Sequence, residues 1–293
     1  MREEKTPIRT NDHPEEDGTP LLTADMHREY QSLIGMLQWA VSLCRVDVCF
    51  AVSSLSRFCS CPREGHLDRV LRIWGYLKKY PSRTLKIDHN KFQVQGADLD
   101  TDLINFNDQY AYAREEIDAR FPKPMGPELD VSVFFDSDHA HDKVSGRSIS
   151  GVIVLVGSTP IIWKSRRQGA VQTSTYGAEF SAIRLATEET VTICYMLRAL
   201  GINVSKPSSL SGDNAGVISN AVIPDASLKK KHVALSFHYV RESVAAGITH
   251  PYKIPGKNNI ADLLTKPLDR NTFMGHTGKV LYLGLGASQE CDF

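Results

Sequence analysis

Four acidic residues in the second half of the chain occupy positions where folding alone does not explain a carboxylate: Asp136, Glu179, Asp213 and Asp262. Asp136 and Asp213 each end a short apolar segment with the pattern of a strand, and Asp262 opens a predicted helix. Glu179 precedes Ile183 by one helical turn, on the face of a predicted helix that should be buried. Converging carboxylates repel one another unless a cation holds them. Oxygen ligands suit Mg²⁺ or Mn²⁺, and pairs of such ions promote in-line phosphodiester chemistry.

Each acid also has a structural explanation when it is taken alone. Asp213 precedes a predicted helix and is in a position to cap it, and Asp262 lies three residues after Asn259, as in a reciprocal cap. Asp136 could start a turn. Glu179 is the hardest to explain, because a buried carboxylate without a partner costs several kcal/mol. If the strands that end in Asp136 and Asp213 are neighbours, these alternatives weaken, since both carboxylates then lie at one sheet edge beside the helix of Glu179.

The hydrophobic pattern from residue 131 onward predicts an α/β domain, with a mixed five-stranded sheet flanked by helices. Three strands come first, and helices and strands then alternate. A long helix begins at Thr175, which we expect to be its N-cap, and ends before Gly201. The predicted strands are residues 131–136, 149–156, 161–163, 210–213 and 249–254, and the later helices are residues 215–221, 235–244 and 260–266.

The first half of the chain has a different organisation. Residues 1–26 are polar and contain prolines, so they are predicted to be a tail. Residues 27–91 carry three apolar stripes at helical spacing and one short strand, which predicts a small helical subdomain. Residues 92–130 lose this periodicity and are rich in acids and prolines, as in a linker. Residues 269–293 are predicted to be a C-terminal tail.

Composition limits the class of protein. The 293 residues are 42 % hydrophobic, enough for a globular chain with two cores, and 34 basic residues balance 34 acidic ones. A nucleic-acid-binding protein often has a basic excess, so contacts with a polynucleotide would have to come from local basic patches. The six cysteines contain no Cys-x-x-Cys pair, which favours reduced thiols in an intracellular protein, in the cytoplasm or nucleus. Neither a secretion signal nor an apolar run of about 18 residues occurs, so no membrane partner is expected.

Residues 131–268 resemble the ribonuclease H domain of copia-type LTR retrotransposon polyproteins, and residues 30–91 resemble the segment that follows the polymerase palm, a thumb or connection-like part of reverse transcriptase. The resemblance in the first region rests on seven ordered motifs: Phe134–Asp138, Arg147–Gly151, Ile162–Ser165, Ser174–Phe180, Gly212–Asn214, Lys231–His232 and Ile260–Pro267. In the second region it rests on Tyr30–Leu37, Arg63–Leu67 and Tyr76–Lys79.

The resemblance implies a ribonuclease H-like fold and a metal-dependent endonuclease that hydrolyses the RNA strand of RNA–DNA hybrids. Asp136, Glu179, Asp213 and Asp262 would be its catalytic, metal-binding residues, with two Mg²⁺ or Mn²⁺ ions as cofactors. Asp136 would bridge the two ions, Glu179 and Asp213 would hold one of them, and Asp262 the other.

An RNA–DNA hybrid should be recognised by groove shape, phosphates and 2′-hydroxyls. The expected contacts come from an aromatic and basic segment, a basic run of residues 229–232, and two loops beside the acids: Trp163, Lys164, Arg166, Arg167, Gln168, Asn214, Lys231, His232 and Lys257. The alternatives are solvated basic loops and, for Trp163, a place in the core.

The sequence also departs from the family pattern. It contains no adjacent Asp-Asp pair, so the paired polymerase aspartates are absent and an upstream polymerase part of a polyprotein is the expected partner. The loop before Asp262 lacks histidine, which leaves His250 and Lys257 as candidates for proton transfer. His139 and His141 are expected to be surface histidines rather than metal ligands. Two functional alternatives stay open: an inactive remnant that binds nucleic acid or polymerase, and another nuclease or transposase of the same fold.

Overall fold

Three helices form the first part of the chain in the computed structural model, which describes residues 2–94, 106, 109–204, 206–228 and 231–283. They are α1 (Ala24–Leu43), α2 (Cys49–Ser56) and α3 (Glu64–Lys79), and a short strand β1 (Thr84–Leu85) follows. The helix α3 is amphipathic, with Leu67, Val70 and Ile73 buried on one face. Residues 24–85 therefore contain three helices and one short strand.

A mixed sheet of five strands occupies the second half. Its order is β5 (Thr159–Arg167), β4 (Ile149–Val156), β3 (Val131–Asp138), β7 (Ser208–Gly212) and β8 (Thr249–Lys253), with β2 (Met125–Leu129) and β6 (Ile202–Val204) forming a separate parallel pair. The strands β3, β4 and β5 are antiparallel, whereas β3, β7 and β8 are parallel. The predicted α/β class, with a mixed five-stranded sheet flanked by helices, is confirmed.

Four further helices accompany the sheet: α4 (Thr175–Ala199), α5 (Ala215–Val222), α6 (Ala234–Ala245) and α7 (Arg270–Val280). The helix α4 packs on β3 and β4. Its N-cap is Ser174, whose hydroxyl accepts a hydrogen bond from the backbone N–H of Gly177, and not Thr175 as predicted. No helix in the described part of the chain is both long and apolar enough to cross a bilayer.

Two cores lie on opposite faces of the sheet. Alternate residues of β3 face opposite sides: Val133 and Phe135 join the core under α4, and Phe134 joins the other. That second core also contains residues of α2 and α7 and of the 3₁₀ helix Ile260–Leu264. The helical subdomain therefore covers one face of the sheet, and both faces of β3 are buried.

The structure differs from the predicted boundaries in three places. Part of the predicted polar tail packs on α3, where Arg69 forms ion pairs with Asp12 and Asp17. The predicted linker contains β2, and the predicted C-terminal tail contains α7 and β9 (Leu281–Tyr282), which pairs with β1. The residues 95–105, 107–108 and 284–293 of these segments lie outside the described part of the chain.

Candidate metal centre

Three carboxylates meet at the carboxyl ends of two neighbouring parallel strands. Asp136 lies near the end of β3, Asp213 directly follows β7, and Glu179 projects from the beginning of α4. One oxygen from each lies within 4.8 Å of the others. The parallel pairing of the two strands ends at Phe134 and Ser211, and Asp136 and Asp213 each lie two residues beyond that pair. The two strands are neighbours, which is the condition under which the capping and turn alternatives weaken. Among the described residues this is the one group of at least three suited to hold a metal ion.

Glu179 is buried to an unusual degree for a carboxylate, with 4 % of its surface exposed. Its Oε1 accepts a hydrogen bond of 3.4 Å from the backbone N–H of Ser137, and its buried Oε2 has no hydrogen-bond partner among the described residues. Burial, followed by the charges of Asp136 and Asp213, raises the pKa of Glu179 to about 9. The buried oxygen lacks a hydrogen-bond donor, and the neighbouring carboxylates repel one another. A hard cation bound here would reduce both the cost of burial and the repulsion.

Asp213 is half-buried beside a close backbone approach. Burial, and then the charge of Asp136, raises its pKa above the ordinary value. A Cβ on Gly256 would lie 3.1 Å from Oδ2 of Asp213, so a side chain there would press on the carboxylate. The loop that precedes Asp262 therefore touches the three-carboxylate group.

Asp262 is positioned by a contact between its 3₁₀ helix and the end of β3. The side chain of Asn259 accepts a hydrogen bond from the N–H of Ala261 (3.2 Å) and donates one to the carbonyl of Phe135 (2.9 Å). The capping role expected near Asp262 therefore belongs to Asn259. Burial, and then the charge of Asp136, raises the pKa of Asp262 to about 7.

Asp262 does not belong to the three-carboxylate group but joins it through a lysine. The Nζ of Lys266 lies 3.3 Å from Oδ2 of Asp136 and 2.9 Å from Oδ1 of Asp262. The hydroxyl of Thr265 donates to the same oxygen of Asp136. The structure therefore brings Asp136, Glu179 and Asp213 together directly, and Asp262 indirectly; their catalytic roles remain predictions.

The donor set fits a divalent cation. It consists of oxygens only, and it includes the unpartnered Oε2 of Glu179. Asp136, Glu179 and Asp213 would hold one ion, and Asp136 with Asp262 would hold a second.

Several residues predicted to contact nucleic acid make contacts within the protein. The indole of Trp163 donates to the carbonyl of Val41 in α1 (3.0 Å), Lys164 pairs with Glu189, and Arg167 pairs with Asp142. Trp163 therefore lies between the helical subdomain and β5, half-buried, as one of the alternatives held.

Gln168 and Asn214 also make hydrogen bonds within the protein. The buried side-chain amide of Gln168 donates to the hydroxyl of Ser150 and to the carbonyl of Ala178 in α4. Asn214 caps α5. The exposed members of the predicted set are Lys164, Arg166, Lys231, His232 and Lys257. Their contact with nucleic acid is still a prediction, and Lys229 and Lys230 lie outside the described residues.

The histidine expectations have mixed outcomes. His141 is buried and its Nδ1 lies 2.7 Å from Asp138, so the prediction of a surface position is wrong for this residue. His139 is half-buried, with its Nε2 3.0 Å from the carbonyl of Gln172. His250 is buried in β8 and stacks on Tyr252, whereas Lys257 is exposed.

Sequence reasoning about the acids missed Lys266 and Thr265, although both lie in a motif that carried the resemblance. The spacing of Lys266 four residues after Asp262 is a signal for a local ion pair. The contact of either residue with Asp136 joins positions about 130 apart in the chain, which no local pattern encodes.

Sequence comparison shows that the chain is similar to retrovirus-related Pol polyproteins of transposons. It is 30 % identical over 252 residues to that of transposon RE1 from Arabidopsis thaliana, a match that covers 86 % of this chain and 15 % of the relative. It is 25 % identical over 244 residues to that of transposon TNT 1-94 from Nicotiana tabacum, covering 83 % of this chain and 16 % of the relative. The chain thus spans less than a fifth of the length of these relatives. No family model matches the chain.

Solved structures with a similar arrangement include ribonuclease H domains. The N-terminal RNase H domain of a protein from Mycobacterium tuberculosis, solved as a fusion with maltose binding protein, has a TM-score of 0.37 and 12 % identity, and the match covers 52 % of this chain and 98 % of that one. LC11-RNase H1 in complex with an RNA/DNA hybrid has a TM-score of 0.37 and 15 % identity, covering 46 % of this chain and 94 % of that one.

Proposed function

We propose that this chain, which is homologous over 86 % of its length to copia-type retrotransposon Pol polyproteins, contains a divalent-metal-dependent endonuclease that hydrolyses the RNA strand of RNA–DNA hybrids. The observation that carries the proposal is the group formed by Asp136, Glu179 and Asp213, in which a buried carboxylate oxygen has no donor. A stable fold gains nothing from three converging acids without a cation.

Different residues of the chain would bind the ions and position the carboxylates. Asp136, Glu179 and Asp213 would bind one Mg²⁺ or Mn²⁺ ion, and Asp136 with Asp262 a second. The positive charge held there would favour ionisation of the attacking water and would stabilise the leaving 3′ oxygen. Thr265 and the backbone N–H of Ser137 fix the carboxylates of Asp136 and Glu179, so that the site needs little reorganisation when it is loaded.

Substrate binding would rest on the exposed cations near the acids. The ring of His232 lies at the first turn of α4, since a Cβ on Gly177 would come 3.1 Å from its Nε2. Lys257 lies in the loop that touches Asp213. Together with Lys231 and Arg166 they would contact phosphates of the hybrid. Such contacts do not depend on the base sequence of either strand. The partner in the cell would be the polymerase part of the same polyprotein, in a cytoplasmic particle or the nucleus.

The test uses the full chain, since the helical subdomain covers one face of the sheet. A labelled RNA–DNA hybrid, an RNA duplex, single-stranded RNA and a DNA duplex are incubated with Mg²⁺ or Mn²⁺, and products are resolved on a gel. We expect cleavage of the hybrid alone, with 5′ phosphate ends. Asp136→Asn should abolish it, whereas Asp225→Asn, at an exposed carboxylate away from the site, should not.

The other outcomes identify the competing functions. Hybrid binding without cleavage, independent of Mg²⁺, would support an inactive binding remnant. Cleavage of the DNA duplex would support another nuclease or transposase of the same fold. Hybrid cleavage that Asp136→Asn leaves unchanged would show that a contaminating nuclease, and not these acids, cuts the substrate.

A further inference from the structure

The carboxylate cluster contains a cation of its own. The ammonium of Lys266 lies between the two acids that would hold the second ion, 3.3 Å from Oδ2 of Asp136 and 2.9 Å from Oδ1 of Asp262. The side chains of these acids are 3 % and 13 % exposed, and that of Lys266 is 34 % exposed. A salt bridge with this degree of burial differs from an ordinary surface pair, because removing one partner leaves uncompensated buried charge.

The position of Lys266 is set by its neighbours in the chain. The 3₁₀ helix Ile260–Leu264 is held to β3 through Asn259, and the backbone N–H of Lys266 bonds to the carbonyl of Asp262 at 3.4 Å. Thr265, the preceding residue, binds the same Asp136 oxygen. The hydroxyl and the ammonium therefore both contact Oδ2 of Asp136.

We propose that Lys266 is a built-in counter-ion of the site: its ammonium holds Asp136 and Asp262 together when divalent ions are absent, and a second divalent ion binds only by displacing it from Asp262. This inference rests on the proposed metal-dependent function. It makes the two ion sites unequal. Among the described residues, Lys266 forms ion pairs with Asp136 and Asp262 but not with Glu179 or Asp213. An ion at Asp136 and Asp262 would therefore compete directly with a tethered ammonium whose local concentration is high, whereas an ion at Asp136, Glu179 and Asp213 would not have to displace it.

The substitution Lys266→Met tests the inference, because it removes the charge and keeps most of the aliphatic stem. Binding of Mn²⁺ to the full chain is measured by isothermal titration calorimetry at pH 7.5, and thermal unfolding is followed in EDTA. We expect the wild type to bind one ion tightly and a second ion weakly. In Lys266→Met the second ion should bind at least about tenfold more tightly, and the melting temperature in EDTA should fall by about 3 °C or more.

Two further variants separate charge from shape. Lys266→Arg keeps the cation, so its binding isotherm and melting temperature should stay near those of the wild type. Lys143→Met removes a lysine that pairs with Glu16 at 3.4 Å on the exposed surface, and it should change neither quantity. If Lys266→Met is folded only when Mn²⁺ is added, the inference is supported, since the ion then replaces the missing counter-charge.

The failure of this inference differs from the failure of the proposed function. If the wild type binds no Mn²⁺ at millimolar concentration, the metal-dependent function itself is wrong. If the wild type binds Mn²⁺ but Lys266→Met matches it in both the isotherm and the melting temperature, only the counter-ion role is wrong. A second ion that binds more tightly in Lys266→Arg as well as in Lys266→Met would show that the shape of the side chain, and not its charge, sets the competition.

Discussion

Replacing Glu179 by glutamine should stabilise the metal-free protein at alkaline pH. Burial and the charges of Asp136 and Asp213 raise the pKa of Glu179 from 4.5 to about 9. In the unfolded chain this carboxyl loses its proton near pH 4.5, whereas in the folded protein it keeps the proton until about pH 9. Because the folded state binds the proton more tightly, the free energy of unfolding falls as pH rises through this window.

The size of the effect follows from the same linkage. Each pH unit inside the window costs about 1.4 kcal/mol, so the step from pH 5 to pH 8 costs up to about 4 kcal/mol. Local relaxation around the cluster reduces this value, and a remaining 2 kcal/mol corresponds to about 3 °C in melting temperature for a chain of 293 residues. Glutamine has the shape of the protonated carboxyl and offers an oxygen to the N–H of Ser137. Glu179→Gln should therefore match the wild type at pH 5 and exceed it at pH 8.

The assay is thermal unfolding followed by circular dichroism at both pH values, in EDTA and in about 10 mM Mg²⁺. The matched control is Glu188→Gln on the same helix, where the side chain is 39 % exposed and pairs with Arg184 at 2.7 Å. In Mg²⁺ the order should reverse, because the wild type gains binding energy that the amide of Glu179→Gln does not provide.

A parallel loss of stability from pH 5 to pH 8 in the wild type and in Glu179→Gln would refute the reasoning. It would mean that another group carries the pH dependence and that Glu179 is ionised in the folded, metal-free protein. A gain of stability in Glu188→Gln of the same size would refute it as well, since a change of net charge alone would then suffice.

Three other substitutions test how the site is supported. Gly151→Ala should destabilise the chain by about 1–3 kcal/mol in urea denaturation and weaken Mn²⁺ binding, because its Cβ would lie 2.7 Å from Cγ2 of Thr265. Asn259→Ala removes both the cap and the hydrogen bond to Phe135, so urea denaturation should show a loss of about 1–3 kcal/mol, with weaker binding of the second Mn²⁺ ion in calorimetry. Trp163→Ala should destabilise the fold by about 2 kcal/mol and leave the affinity for an RNA–DNA hybrid unchanged in fluorescence anisotropy. A large loss of affinity in a folded variant would show instead that Trp163 contacts the nucleic acid.

The parts of the fold that were predictable are those with a strong local pattern. The strand β3 is a continuous apolar run buried on both faces, and α4 has a clear helical period, although its N-cap lies one residue before the predicted one. The acid positions were readable for the same reason, since strand ends and an inward helix face can be located from the pattern. The conclusion that Asp136 and Asp213 are neighbours then needed only parallel pairing of β3 and β7.

The parts that were not predictable depend on contacts distant in sequence. The buried face of α7 consists of Phe273, His276, Thr277 and Val280, which is too polar to give a recognisable apolar stripe. The first residues of the chain are positioned by Arg69, which binds acids more than 50 positions away. The position of Lys266 at Asp136 is of this kind too, and only the fold reveals it.

The shared core links the helical subdomain to the candidate metal centre. Asp262 lies in a 3₁₀ helix whose neighbours Ile260, Ala261, Leu263 and Leu264 are all buried, in the same core as Phe50 of α2. The side chain of Ser53 in α2 also donates to the carbonyl of Ser165 in β5, at 2.8 Å. Because α2 packs on both β5 and this 3₁₀ helix, removal of the helical subdomain would expose the apolar side of the segment that carries Asp262. The segment would then lose the packing that holds it against the sheet, and Asp262 would be the first of the acids to be displaced from Asp136. Glu179 and Asp213 would be less affected, because they are positioned by the opposite core and by β7. The helical subdomain therefore helps to position Asp262, and with it the proposed second ion site.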